Sequence, residues 1–173
     1  GDPCLPAPVL CESMQWTAGA VRIASVMRTA AFELSSIAND VRRMVAGPRT
    51  GVGELILPAV QPGSSIMPGK VNPSVAEMLD QVCYQVIGND TTVMLGAQAG
   101  QLELNVMMPG MNFALCMSAT ILANATRVCR LRTIAGMKVD EQSVRALLDS
   151  SPSLTVTDLH HPVAAATPAA HLK

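Results

Sequence analysis

Between Gly63 and Pro73 the chain reads Gly-Ser-Ser-Ile-Met-Pro-Gly-Lys-Val-Asn-Pro. Two hydroxyls, one ammonium and one carboxamide fall within that short run, and two glycines and two prolines shape the backbone around them. The mixture suits a loop that closes over a small anion. Lys70 supplies a point charge and Asn72 supplies N–H donors. Taken alone, Ser64 and Ser65 are ordinary turn residues. Two rival motifs fail on spacing. A nucleotide-binding P-loop needs four residues between its glycines and Ser or Thr after the lysine; here five separate Gly63 from Gly69, and Val71 follows Lys70. A serine hydrolase of the Gly-x-Ser-x-Gly type lacks its motif, and no histidine precedes His160.

Elements on both sides must hold this loop. From about Ser13 to Ala46, Ile23, Met27, Ala30, Leu34, Ile37, Val41 and Met44 recur at alternating spacings of four and three. That spacing predicts one long helix packed lengthwise through this seam, ended by Gly47-Pro48. Residues 1–12, with Pro3, Pro6 and Pro8, read as extended chain. Gly47 to Pro73 holds five glycines and five prolines and reads as a long loop. Loops of that length inside a domain are usually functional, and Leu55-Ile56-Leu57 and Ile66-Met67 are too apolar for a disordered linker. A second helix is expected from Ser74 to Ala99, with Ser74 and Glu77 in a capping-box pattern and a bend at Gly88. A third follows a break near Pro109-Gly110 and runs to about Thr133. Asp140 then caps a short amphipathic helix carrying Val144, Leu147 and Leu148. No strand-like alternation persists.

The fold class is therefore all-α, a bundle of long helices. Its 173 residues are 49% hydrophobic yet only 2% aromatic, so Ala, Val, Leu, Ile and Met must fill the core. Charged residues are 14%, well below the usual quarter. So little charge cannot cover the apolar surface of a monomer, which implies a large interface with other chains or with further parts of the protein. The bundle is incomplete: three helices this apolar need more partners than the chain supplies.

Net charge is −1 and no basic stripe occurs, so nucleic acid is not an expected partner. The uncharged stretch Leu104 to Thr126 contains Pro109, Gly110 and three asparagines, which favours a buried bundle helix over a membrane span. The five cysteines include no C-x-x-C pair; neither a disulfide framework nor a metal site is expected, and a cytoplasmic location fits. The first residues lack a basic flank and an apolar stretch, so they are not expected to be a signal peptide. The sequons at Asn89 and Asn124 fall inside predicted helices and read as chance.

The loop is identical to the signature loop of the fumarase/aspartase superfamily, in the branch of aspartate ammonia-lyase and class II fumarase. Further blocks resemble that family in order and spacing: Ile37-Ala38-Asn39-Asp40, Gly47-Pro48-Arg49, Gly53-Glu54-Leu55, Gln85 to Asp90 and Leu102 to Val106. The likeness extends over about residues 1–150. It implies that residues 1–136 are part of the central helical-bundle domain, with the loop at 47–73, and that 137–173 are a partial, divergent C-terminal domain. Gly69-Lys70-Val71-Asn72-Pro73 differs from the relatives that cleave argininosuccinate. Residues 57–62 and 99–102 look more like aspartase than fumarase.

What the resemblance implies is a lyase acting on four-carbon dicarboxylates with no cofactor and no metal. Ser64 is then the general base. A free serine is too weak for that role, so its alkoxide must be held by backbone N–H groups of the loop. Lys70 and Asn72 bind a substrate carboxylate, with Ser65 and Met67 beside them. Glu77 orients a histidine from another subunit, or serves only as the partner of Ser74. The family builds each site from several subunits of a homotetramer, and its histidine and further donors lie earlier in the chain than this sequence reaches. The chain reads as a C-terminal piece of a longer lyase, inactive alone. The products are fumarate and ammonia if the protein is an aspartase; a fumarase, or a non-catalytic assembly piece, is the alternative. The tail, Thr155 to Val163, departs from the family's pattern.

Overall fold

The computed structural model describes residues 6–47, 51–60, 67 and 70–150. In chain order they form α1 (Leu10–Gln15), α2 (Ala18–Val45), β1 (Leu55–Ile56), α3 (Ser74–Gln98), α4 (Met108–Arg132), a 3-10 turn (Ile134–Gly136), β2 (Lys138–Val139) and α5 (Glu141–Asp149). The expected all-α architecture is present. Helices α2, α3 and α4 have 28, 25 and 25 residues, each about 40 Å long. Among the described residues no helix is long and apolar enough to cross a membrane.

Helix α3 lies between the other two long helices and packs on both. Among the described residues, half of the buried apolar side chains are alanine: Ala24, Ala31, Ala38, Ala76, Ala114 and Ala125. Leu79, Cys83, Val86 and Val93 supply the bulk from α3. Small residues let helix axes approach closely, and this corrects the predicted seam of α2. The buried line is Ala24, Ala31, Ser35, Ala38 and Val41, with Met27 and Leu34 packed beside it. Ile23 and Ile37 are instead 59% and 55% exposed. The sequence pattern chose the largest side chains for the inner face, whereas α3 takes the smallest and leaves the isoleucines outside.

Three other expectations are corrected. The predicted helix from Ser13 is two helices, because Trp16 is extended and Thr17 is non-helical, and residues 10–12 are helical rather than extended. The break lets Gln15 reach the turn after α3: its Nε2 donates to Gly100 O at 3.4 Å and its Oε1 accepts from Glu103 N at 2.9 Å. The long loop also contains a strand. β1 pairs antiparallel with β2, Leu55 opposite Val139 and Ile56 opposite Lys138. Two residues are too few for alternation to register in a sequence. Finally, Pro73 occupies the cap position of α3, so Ser74 is the first helical residue and Ser74-x-x-Glu77 is not a capping box.

Other boundaries match. Asp140 caps α5, accepting from Gln142 N and Ser143 N at 3.2 Å each. Pro109 sits in the first turn of α4, where its missing N–H costs nothing. Buried Asn105 closes the α3–α4 connection: its Nδ2 donates to Gly96 O at 3.0 Å and its Oδ1 accepts from Met107 N at 2.9 Å.

Candidate functional site

The C-terminal end of α2 and the N-terminal end of α3 meet at an open cavity of about 880 Å³. One wall comes from α2 and its exit, with Asn39, Arg42 and Arg43. The other comes from the lead-in and first turn of α3, with Lys70, Asn72 and Glu77. The structure thus gathers three of the sequence-predicted residues around one space. Lys70 is exposed, while Asn72 and Glu77 are half-buried. Met67 is 49% exposed and is not on the cavity wall; its carbonyl accepts from Lys70 N at 3.2 Å. Ser64 and Ser65 lie outside the described residues, as do the three histidines.

Helix ends set the background field. The N-terminus of α3 carries partial positive charge and the C-terminus of α2 partial negative charge, which Arg42 and Arg43 in its last turn oppose. An anion in the cavity would meet Lys70, the two arginines and the amide end of α3, with Glu77 the one carboxylate on the wall among the described residues.

Behind the cavity lies a feature that motif reading passed over. Asp80 is buried at 2% exposure in the apolar face of α3, one turn after Glu77. Ser35 Oγ donates to its Oδ1 at 2.8 Å, Asn39 Nδ2 to the same oxygen at 3.4 Å, and Arg42 Nη1 to its Oδ2 at 2.9 Å. Arg42 Nη1 also donates to Asn39 Oδ1 at 3.1 Å. The signal was available: an acid stands between Leu79 and Cys83 on a core-facing stripe, and Ser35, Asn39 and Arg42 recur at helical spacing on α2.

Two thiols are perturbed. Burial first, then the Asp80 charge and Cys129, push Cys83 up from the usual thiol range. Burial also raises Cys129, against a hydrogen bond with Thr133 that lowers it. Among the described residues no group of three or more His, Cys, Asp and Glu could hold a metal ion.

A family model described as "Lyase" matches residues 2–88, the stretch carrying α2, the loop and the first half of α3. This chain belongs to that lyase family. Similarity to individual lyases runs further along the chain. It is 42% identical over 151 residues to the aspartate ammonia-lyase of Bacillus subtilis, covering 87% of this chain and 32% of that protein. It is 49% identical over 140 residues to the class II fumarate hydratase of Corynebacterium efficiens, covering 81% of this chain and 29% of that protein. Among solved structures, a fumarate lyase:delta crystallin from Brucella melitensis superposes with a TM-score of 0.85 at 43% identity, covering 89% of this chain and 36% of that one. The class II fumarase of Schistosoma mansoni gives 0.85 at 33% identity, covering 90% and 33%. The chain spans about a third of the length of the lyases it matches. Both aspartate ammonia-lyases and class II fumarases are among them, which leaves the choice of leaving group open.

Proposed function

We propose that the protein carrying this chain is a carbon–nitrogen lyase that reversibly converts L-aspartate to fumarate and ammonia. The observation that carries this reading is the shared cavity of Lys70, Asn72 and Glu77 in a chain of the lyase family. In this mechanism Ser64, as alkoxide, takes a proton from the carbon beside one carboxylate. The electron pair delocalises into that carboxylate, whose oxygens gain charge. Lys70 and Asn72, aided by Ser65, stabilise that charge as it develops, which is where electrostatic catalysis is strongest. The carbon–nitrogen bond of the neighbouring carbon then breaks, the double bond forms and ammonia leaves. Glu77 supports the site by orienting a group from another subunit. The active assembly is a homotetramer in the cytoplasm, with each site shared between subunits. The exposed apolar residues on the helix faces and the four free cysteines among the described residues support that setting.

A second reading, hydration of fumarate to malate by a class II fumarase, is favoured by the 49% identity to such an enzyme. The same carbanion chemistry serves both, with water in place of ammonia. The test follows the ultraviolet absorbance of fumarate with aspartate and with malate as substrate. Fumarate from aspartate supports the first reading, fumarate from malate the second, and none from either favours a non-catalytic assembly role. Ser64→Ala is expected to lower turnover by at least about a hundredfold while the protein keeps its assembled mass. Near-normal turnover in that variant would remove Ser64 as the base.

A further inference from the structure

We infer that the outer face of α3 is a self-pairing surface, along which a second copy of this chain lays its own α3 in the antiparallel sense. The inference deepens the assembly proposed above and does not depend on the reaction. Helices α2 and α4 carry charge on their outer faces, with Arg22, Glu33, Asp40 and Arg43 exposed on the first and Arg127, Arg130 and Arg132 on the second. Helix α3 does not. From Gln81 to Gln98 it has one charged residue, Asp90, which is buried with its Oδ2 3.4 Å from Arg28 Nε. A helix with no charged face is one that is covered on every side. The exposed positions Gln81, Tyr84, Gly88, Thr91, Leu95 and Gln98 follow one another at alternating spacings of three and four, the seam of a helix–helix contact. Tyr84 and Leu95 on it are each 56% exposed.

Gly88 indicates that the covering element comes close. A glycine in a helix interior costs about 1 kcal/mol relative to alanine, and α3 runs through this one unbroken. Gly96 is accounted for within the chain, because a Cβ there would meet Met111 Cγ at 2.5 Å. A Cβ at Gly88 would meet nothing within 4 Å among the described residues. The space it leaves faces outward.

The seam also matches itself when reversed. Gln81 and Gln98, Tyr84 and Leu95, and Gly88 and Thr91 stand at equal distances on either side of a point between Asn89 and Asp90. Two antiparallel copies in that register set amide against amide and the tyrosine ring against leucine. The two smallest side chains of the seam then meet at the centre, where the axes are nearest. A two-fold axis makes each contact twice, as an isologous interface requires. A parallel pair would instead leave a void where the two glycines meet, and would oppose the two Glu77 carboxylates one turn before Gln81. The antiparallel pair keeps those carboxylates, and the cavities they line, about 40 Å apart along the axis.

Cysteine cross-linking in the protein carrying this chain tests the register, with its exposed native cysteines, Cys11 and Cys116 among them, replaced by serine. The oxidant is copper-phenanthroline with dissolved oxygen. Tyr84→Cys/Leu95→Cys is expected to give a disulfide-linked dimer on non-reducing gels. Either substitution alone is expected to give none, because like positions of the pair lie about 16 Å apart along the axis, beyond the reach of a disulfide. A dimer from Tyr84→Cys alone, or none from the double variant, overturns the inference. If circular dichroism shows that the double variant does not fold, Gln81→Cys/Gln98→Cys replaces it, with the same outcomes expected. Gly88→Gln should keep the helix content, since the chain itself leaves room there, and should weaken association by at least about tenfold, read by light scattering on dilution. A parental dilution curve in that variant overturns the pairing as well. Cross-linked pairs in a protein that turns over neither aspartate nor malate would sink the proposed reaction and leave the pairing standing. Turnover by an assembly whose double variant does not cross-link would do the reverse.

Discussion

Cys83 shows how tightly the core beside Asp80 is enclosed. It is 0% exposed, and its thiol is raised first by burial and then by the nearby Asp80 charge. Cys129 is raised by burial as well. In both, the folded state holds its proton at a pH where the unfolded chain, with thiols near about 8.5, has released it. The folded state then binds more protons, so this contribution is complete below the unfolded value and declines as pH rises through it. Denaturant midpoints should therefore fall between about pH 8 and pH 10, and Cys83→Ser/Cys129→Ser should flatten that slope. Mass mapping after brief iodoacetamide treatment at neutral pH should find Cys83 and Cys129 unmodified, while Cys11 and Cys116, the exposed thiols among the described residues, react. Rapid alkylation of Cys83 in the folded protein would contradict the burial.

At the scale of elements, the connection between α3 and α4 is held by one amide side chain. Asn105 is 1% exposed and ties Gly96 O to Met107 N. Asn105→Ala leaves the Gly96 carbonyl and the Met107 N–H, both half-buried, without these partners. It should cost about 1–3 kcal/mol in chemical denaturation, with Asn105→Asp closer to Ala than to the parent because a carboxylate cannot donate to Gly96 O. Long elements of this kind were legible. The cap of α5 at Asp140 and the proline in the first turn of α4 follow from local chemistry that any short window contains. What was not legible depends on partners distant in sequence. The face of α2 that turns inward is chosen by α3, which prefers Ala24, Ala31 and Ala38 to Ile23 and Ile37. The break at Trp16 depends on the turn near Gly100, and β1 exists because β2 lies beside it. The site divides the same way. Lys70 and Asn72 announced themselves through a short motif, whereas Asp80 and Arg42 are joined across two helices 38 residues apart.

For the molecule as a whole, the outward isoleucines follow from the alanine core. Ile23, Phe32 and Ile37 on α2, Tyr84 and Leu95 on α3, and Phe113 on α4 are each more than half exposed. A lyase chain with this much apolar surface is built to be covered. Ile23→Glu/Ile37→Glu leaves the inner face of α2 untouched, so helix content by circular dichroism should be unchanged. Association should fall, read by light scattering as a lower average mass than the parent at equal concentration. A parental mass in this variant would mean that the outer face of α2 takes no part in assembly.

The pairing of β1 with β2 has its own consequence. Asp140 N donates to Glu54 O at 2.8 Å, so the residue that caps α5 also holds the chain just before β1. Gly136 rests against Pro58 on the far side of β1. The root of the long loop is thereby moored to a segment some eighty positions later in the chain. Tension applied at α5 reaches the root of that loop through this mooring, without passing along the three long helices.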